Sequence, residues 1–228
     1  LRPRYGEALA QYHKLLDHKT RILRDWEKNP SLLEVLEDFN EAMARAGALL
    51  IHYRAHFVGK LAPRAAQIQR DFSGDREELT LSYQTVGTVR NPLGPTVSIY
   101  EDLRAHQDSH RRAELEARSC LSGPHKDDLA AWIDGQPARQ FASQGQTRTA
   151  ALSLKLAERE LFEDDTGQWP VLLLDDVLSE LDARRQDFVL DRITGGQVFI
   201  TSCEAPAGEI SRGKILHIHQ GALVDSPN

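Results

Sequence analysis

Apolar residues recur every three or four positions through the first quarter of the chain, and such spacing has few structural solutions. Tyr5, Leu9, Tyr12, Leu16, Lys19, Leu23 and Trp26 alternate steps of four and three, a heptad seam with Lys19 as its polar intruder. Asn29-Pro30 stops that helix, and Ser31 with Glu34 has the spacing of a capping box that opens the next. The second seam runs Leu32, Leu36, Phe39, Met43, Ala46, Leu50, Tyr53, Phe57. A helix from Ser31 to near Phe72 is about 60 Å long at about 1.5 Å per residue, with Pro63 as a place for a bend. Two seams joined by a tight turn predict an antiparallel helical hairpin, an arm projecting from something else. A plain helical bundle fits the same periodicity.

The pattern then changes. Glu78–Tyr83 alternates like a strand, Gly87–Pro95 reads as a loop, and Glu101 to about Ser119 as a polar helix. A boundary near Cys120 separates an arm domain, 1–119, from a second domain, 120–228. There, Asp128–Ile133 and Gln136–Phe141 flank Asp134-Gly135, a hairpin turn signal. A helix is expected over Gln146–Phe162, with Ala150, Leu154, Ala157 and Leu161 on one side. Val171–Leu174 is a short continuous apolar run, as expected of a strand buried on both faces. Val198–Ile200 is another, and Ala183–Ile193 reads as the helix between them. Strand, helix, strand predicts a βαβ crossover, so this half is α/β with at least a partly parallel sheet. Lys214–His219 and Ala222–Val224 read as a closing hairpin around Gln220-Gly221.

Composition, with 40% hydrophobic and 27% charged residues, is that of a globular domain. No apolar run approaches the roughly 20 residues needed to cross a bilayer, and no signal segment opens the chain. Cys120 and Cys203 lie far apart, match no metal spacing, and read as structural thiols in a reducing cytoplasm. The net charge of −6 is unevenly spread: residues 1–118 carry 18 Lys and Arg against 17 Asp and Glu, the remainder 10 against 17. A phosphate-backbone surface is therefore placed on the first half, where Arg21, Arg24, Lys28, Arg54, Lys60 and Arg64 are basic candidates. A mixed-charge helical surface is equally the mark of a solvated face.

The chemistry concentrates in the second half. The run Val171-Leu172-Leu173-Leu174 delivers Asp175 and Asp176 to the carboxyl end of a strand, the crevice where open α/β sheets bind ligands. Adjacent carboxylates repel unless a cation or proton offsets them, and Mg²⁺ with nucleotide phosphate would do so. Phosphoacceptor and metal-hydrolase sheets share this pattern, and so do some plain strand ends. Ser179-Glu180-Leu181-Asp182 follows after a short turn. Upstream, Ser143-Gln144-Gly145-Gln146 opens a helix whose amides and dipole suit an anion. The same Ser143 and Gln146 have the spacing of a simple capping box.

Taken in order, Ser-Gln-Gly-Gln at a helix start, Leu-Leu-Leu-Asp-Asp, then Ser-Glu-Leu-Asp resembles the signature, Walker B and D-loop of ABC-type ATPases. Three details resemble the RecF family of DNA replication and repair proteins, which is related to the chromosome-maintenance ATPases. The signature reads Ala-Ser-Gln-Gly-Gln-Thr-Arg-Thr, the Walker B Asp is followed by a second Asp, and Gly123-Pro124-His125-Lys126-Asp127-Asp128-Leu129 precedes the signature. The resemblance implies part of an ABC-type ATPase head with a parallel core, plus a helical arm. It implies ATP and Mg²⁺ as cofactors, with Asp175 at the metal and Asp176 polarising the attacking water. Ser143, Gln144, Gly145 and Gln146 would meet the γ-phosphate held by a second protomer, and Ser179, Glu180, Leu181 and Asp182 would couple the two sites. Thr201-Ser202 stands where many relatives have a switch histidine.

The resemblance further implies a cytoplasmic protein that dimerises with ATP and hydrolyses it slowly. Its partners would be single-stranded or gapped DNA and RecO- and RecR-type mediators, in recombinase loading and the SOS response. No Gly-x-x-x-x-Gly-Lys-Ser/Thr loop occurs in the sequence. In the family that loop lies upstream of the arm, so the chain resembles the last two-thirds of such a protein and is expected to be inactive alone. Rival readings are another chromosome-maintenance ATPase head, a transporter ATPase subunit, or a non-catalytic module whose arm docks a partner.

Overall fold

The computed structural model describes residues 3–203 and 213–224, and the chain divides into two compact units, Leu1–Leu161 and Phe162–Asn228. The first unit opens with α1 (Pro3–Asp25) and α2 (Leu32–Ser73), packed against each other as the two seams require. Ala8, Tyr12, Ile22 and Leu23 of α1 are buried with Leu36, Met43, Ala46 and Leu50 of α2. Each large side chain buried in this way contributes about 1.5–3 kcal/mol. Lys19 is buried in the same seam because Nζ meets Glu114 Oε2 at 2.6 Å. Phe57, the last residue of the second seam, is exposed.

A second face of α2 carries Ala44, Ala48 and Ile51, and packs on Ile99 and Leu103 of α3 (Thr96–Ala117) and on Val86 and Val89. Small side chains allow that approach: a Cβ on Gly47 would sit 3.3 Å from both Leu103 and Pro124. The helical part is thus three packed helices rather than a bare hairpin. Ser31 has helical backbone angles and makes no capping bond; its hydroxyl donates to Asn29 Oδ1 at 2.7 Å. The expected capping box is absent because Asn29 and Pro30 already accept the amides of Leu32 and Leu33.

β1 (Leu79–Gln84) pairs antiparallel with β2 (Asp128–Ile133), so residues on both sides of Cys120 share one sheet. β2 turns at Asp134 (φ 52) and Gly135 (φ 75) into β3 (Gln136–Pro137), the left-handed pair that a two-residue hairpin demands. The return strand is shorter than the expected Gln136–Phe141. Pro137 lacks an amide for the ladder, and α4 (Ala138–Phe141) takes over. α5 (Gln144–Thr166) follows and buries Ala150, Leu152, Leu156, Ala157 and Leu161. Cys120 lies buried in the α1/α2 core, whereas Cys203 is exposed.

The second unit contains β4 (Leu172–Asp175), α6 (Ala183–Arg192) and β5 (Val198–Thr201), with β4 and β5 parallel as the crossover predicts. Leu174, Leu178, Leu181 and Val189 are buried. β4 is not buried on both faces: Leu173 is 70% exposed and its register partner Phe199 51%. A continuous apolar run signals two faces suited to burial, and in this chain one remains uncovered. A hairpin of β6 (His217–His219) and β7 (Ala222–Val224) forms around Gln220-Gly221. Among the described residues no helix is long and apolar enough to cross a membrane.

Candidate functional site

Parallel pairing of β4 with β5 places Asp175 opposite Thr201. The Thr201 hydroxyl donates to Asp175 Oδ1. The next residue, Asp176, leaves the strand with φ 53, a left-handed conformation that Asp tolerates better than most side chains. Its amide donates to the Thr201 carbonyl at 3.1 Å and to Thr201 Oγ1 at 3.0 Å. Its carboxylate Oδ1 accepts from Ser179 Oγ at 2.7 Å. Asp175, Asp176, Ser179 and Thr201 therefore form one hydrogen-bonded cluster at the carboxyl end of the parallel pair. All four are exposed.

The remaining residues of that turn are structural neighbours of the cluster. Leu178–Glu180 forms a single 3-10 turn and Leu181 is buried. Asp182 caps α6, its Oδ1 accepting the Arg185 amide at 3.0 Å. Gln186 Nε2 donates to the carbonyls of Leu178 (2.8 Å) and Leu181 (3.1 Å), holding the turn from the helix side. Ser202 is exposed beside Thr201.

Two adjacent carboxylates, each with one oxygen held by a hydroxyl, are hard oxygen donors of the kind Mg²⁺ takes. Among the described residues no group of three or more His, Cys, Asp or Glu side chains could hold a metal ion.

The second candidate element is the start of α5. Ser143 and Gln146 form a reciprocal capping box: the Gln146 amide donates to Ser143 Oγ at 3.2 Å, and the Ser143 amide to Gln146 Oε1 at 3.0 Å. Thr147 adds amide and hydroxyl bonds to the Ser143 carbonyl at 2.9 and 3.0 Å. Helix geometry gives the Gln144 and Gly145 amides no partner within α5, and both residues are exposed. The arrangement offers two amides and a helix dipole to an anion.

The stretch from Gly123 to Leu129 has a different task. Arg54 Nη1 donates to Pro124 O at 2.5 Å and to Asp127 Oδ2 at 2.9 Å, and the Tyr83 hydroxyl also donates to Asp127. His125 Nδ1 is 2.9 Å from the Tyr12 hydroxyl. Gly123 has φ 139, and a Cβ there would collide with the Tyr12 hydroxyl. The segment ties α1, α2 and β1 together, and His125 is its contact to α1. Arg54, one of the six basic candidates, is committed to this joint, whereas Arg21, Arg24 and Lys28 are exposed on α1 and the turn after it. Sequence reading missed Tyr12, Tyr83 and Arg54 as partners of the motif, since nothing in their spacing announces a contact 44 to 113 residues away.

Comparison with known proteins settles the family. The chain is 39% identical over 203 residues to the DNA replication and repair protein RecF of Desulforamulus reducens, covering 89% of this chain and 54% of that protein. It is 33% identical over 230 residues to RecF of Clostridioides difficile, covering 99% and 61%. The chain matches the C-terminal part of the RecF family. Two solved structures of the recombination mediator protein RecF in the RecFOR pathway, one with ATP and one with ATPrS, superpose at a TM-score of 0.83. They are 33% and 32% identical and are matched over 96% of this chain and 58% of theirs. No family model matches. The RecF-like chain thus spans a little over half the length of the relatives it matches, and its fold is that of the matching part of RecF.

Proposed function

We propose that this chain works as the C-terminal part of a RecF-type DNA-repair ATPase in which ATP and Mg²⁺ draw two protomers together on DNA. The functional division is an arm, 1–119, and a head portion, 120–228. The observation that carries the reading is the acid pair at the end of a parallel strand, with one oxygen of each carboxylate held by a hydroxyl. In this reading Asp175 holds Mg²⁺, which supplies charge neutralisation at the phosphates. Asp176 accepts a proton from, and so orients, the attacking water. Being one methylene shorter than Glu, it reaches less far, which suits slow, regulatory hydrolysis.

Ser143, Gln144, Gly145 and Gln146 present the α5 start to the γ-phosphate held by the partner protomer. Ser179 links Asp176 to the turn that continues through Glu180, Leu181 and Asp182, so the acid pair and that coupling segment move together. Thr201 and Ser202 occupy the switch position with hydroxyls. The uncovered face around Leu173 and Phe199 is where the rest of the head packs, bringing the loop that cradles the α- and β-phosphates. The assembled cytoplasmic protein binds gapped or single-stranded DNA and supports recombinase loading with RecO- and RecR-type mediators. The exposed Arg21, Arg24 and Lys28 are available for phosphate contacts.

Mg²⁺-dependent ATP hydrolysis by the full-length protein tests this assignment. Asp175→Ala and Asp176→Asn are each expected to lower kcat by about 10²-fold or more, with DNA binding in the absence of nucleotide retained. Hydrolysis at the wild-type rate in both variants would remove the acid pair from the chemistry and favour a module that only binds partners.

A further inference from the structure

Thr201 touches both members of the acid pair. It is the register partner of Asp175 at the end of β5, its hydroxyl donates to Asp175 Oδ1, and the same oxygen accepts the Asp176 amide at 3.0 Å. A single side chain thus connects the carboxylate of one acid to the backbone of the next. No neighbour in sequence does this, since 25 and 26 residues separate the partners.

We propose that Thr201 is a positioning residue for the acid pair: its hydroxyl fixes the Asp175 carboxylate for a divalent cation and holds Asp176 in its left-handed backbone conformation. This rests on the reading of Asp175 as the Mg²⁺ ligand and deepens it. A carboxylate rotates broadly about its last bond, and a donated hydrogen bond to Oδ1 selects one orientation while leaving Oδ2 to a cation. Among the described residues the Asp175 carboxylate makes no other hydrogen bond. Asp176, at φ 53, occupies a region that non-glycine residues keep only where their surroundings over-determine it. Thr201 supplies two of those constraints through its carbonyl and hydroxyl, and Ser179 supplies the third by bonding the Asp176 carbonyl at 2.9 Å and its carboxylate.

A hydroxyl here acts on the acids as an outer partner acts on a metal ligand. The switch position in this chain therefore serves the cation side of the site.

Valine replaces threonine with the same shape and the same preference for a strand but without the hydroxyl, and serine keeps the hydroxyl. In the full-length protein, binding of a fluorescent ATP analogue is titrated with Mg²⁺ for the wild type, Thr201→Val, Thr201→Ser and Asp175→Asn. Thr201→Val is expected to raise the Mg²⁺ midpoint on the order of tenfold, with Thr201→Ser close to wild type. Partial unfolding alone raises an apparent midpoint by the inverse of the folded fraction, so the far-UV circular dichroism of each variant fixes that fraction and the midpoints are compared after correction for it. An unchanged midpoint in Thr201→Val, beside a raised one in Asp175→Asn, overturns the positioning role alone. A Thr201→Ser midpoint as high as that of Thr201→Val overturns it too, because shape and not the hydroxyl would then be what matters. An unchanged midpoint in Asp175→Asn overturns the Mg²⁺ assignment and the proposal with it.

Discussion

Lys19 interrupts an otherwise apolar seam, and the structure shows what it does there. Its side chain is 1% exposed and its partner Glu114 5%, with 2.6 Å between the charges. Removing one member of such a pair leaves a buried charge uncompensated, which costs about 3–5 kcal/mol. Lys19→Met should therefore lower stability by about that amount in urea unfolding, and adding Glu114→Gln should recover much of it.

Two histidines near this pair give the molecule an acid limit. Burial holds His106 and His125 below the usual value of 6.5, so the unfolded chain takes up protons at a pH where the folded chain does not. Their contribution is fully present above about pH 6.5 and is lost as the pH falls through the lower folded values. The urea midpoint should thus be lower at about pH 5.5 than at about pH 7.5, and the difference should shrink in a His106→Gln, His125→Gln variant. An identical pair of midpoints in wild type would show that neither ring is held neutral by the fold.

Among the elements, the start of α5 serves as a helix cap and as the candidate anion site, and the two roles predict different outcomes. As a cap, Ser143→Ala should cost about 1 kcal/mol, read as a lower urea midpoint. Ser143→Asn keeps the cap and should leave stability near wild type. Periodicity made α1, α2, α5 and the β4–α6–β5 crossover legible, because burial of one face repeats along each helix and an apolar run marks a strand. Local chemistry was less reliable. Ser31 and Glu34 have the capping spacing that Ser143 and Gln146 have, yet Ser31 sits inside a turn already satisfied by Asn29 and Pro30 carbonyls. Gln136–Phe141 alternates like a strand, yet Pro137 ends the ladder after two pairs.

For the whole molecule, motif order in the sequence pointed to the family because each motif needs its own residue types at its own place on strand, turn or helix. What it could not show is pairing across distance. That Thr201 meets both aspartates depends on the register of β4 with β5, and that Arg54 and Tyr83 meet Asp127 depends on how α2 and β1 pack. The exposed Leu173 and Phe199 in a run that reads as doubly buried likewise become visible only in the structure, where among the described residues that sheet holds β4 and β5.

The central claim is that the α5 start meets a nucleotide held by a second protomer. Sedimentation of the full-length protein with and without ATP and Mg²⁺, comparing wild type with Ser143→Arg, tests it most directly. ATP-dependent dimerisation in the wild type that vanishes in Ser143→Arg is the predicted result. A wild type that stays monomeric with ATP bound, or a Ser143→Arg protein that dimerises equally well, would contradict the account and leave Ser143 as a helix cap alone.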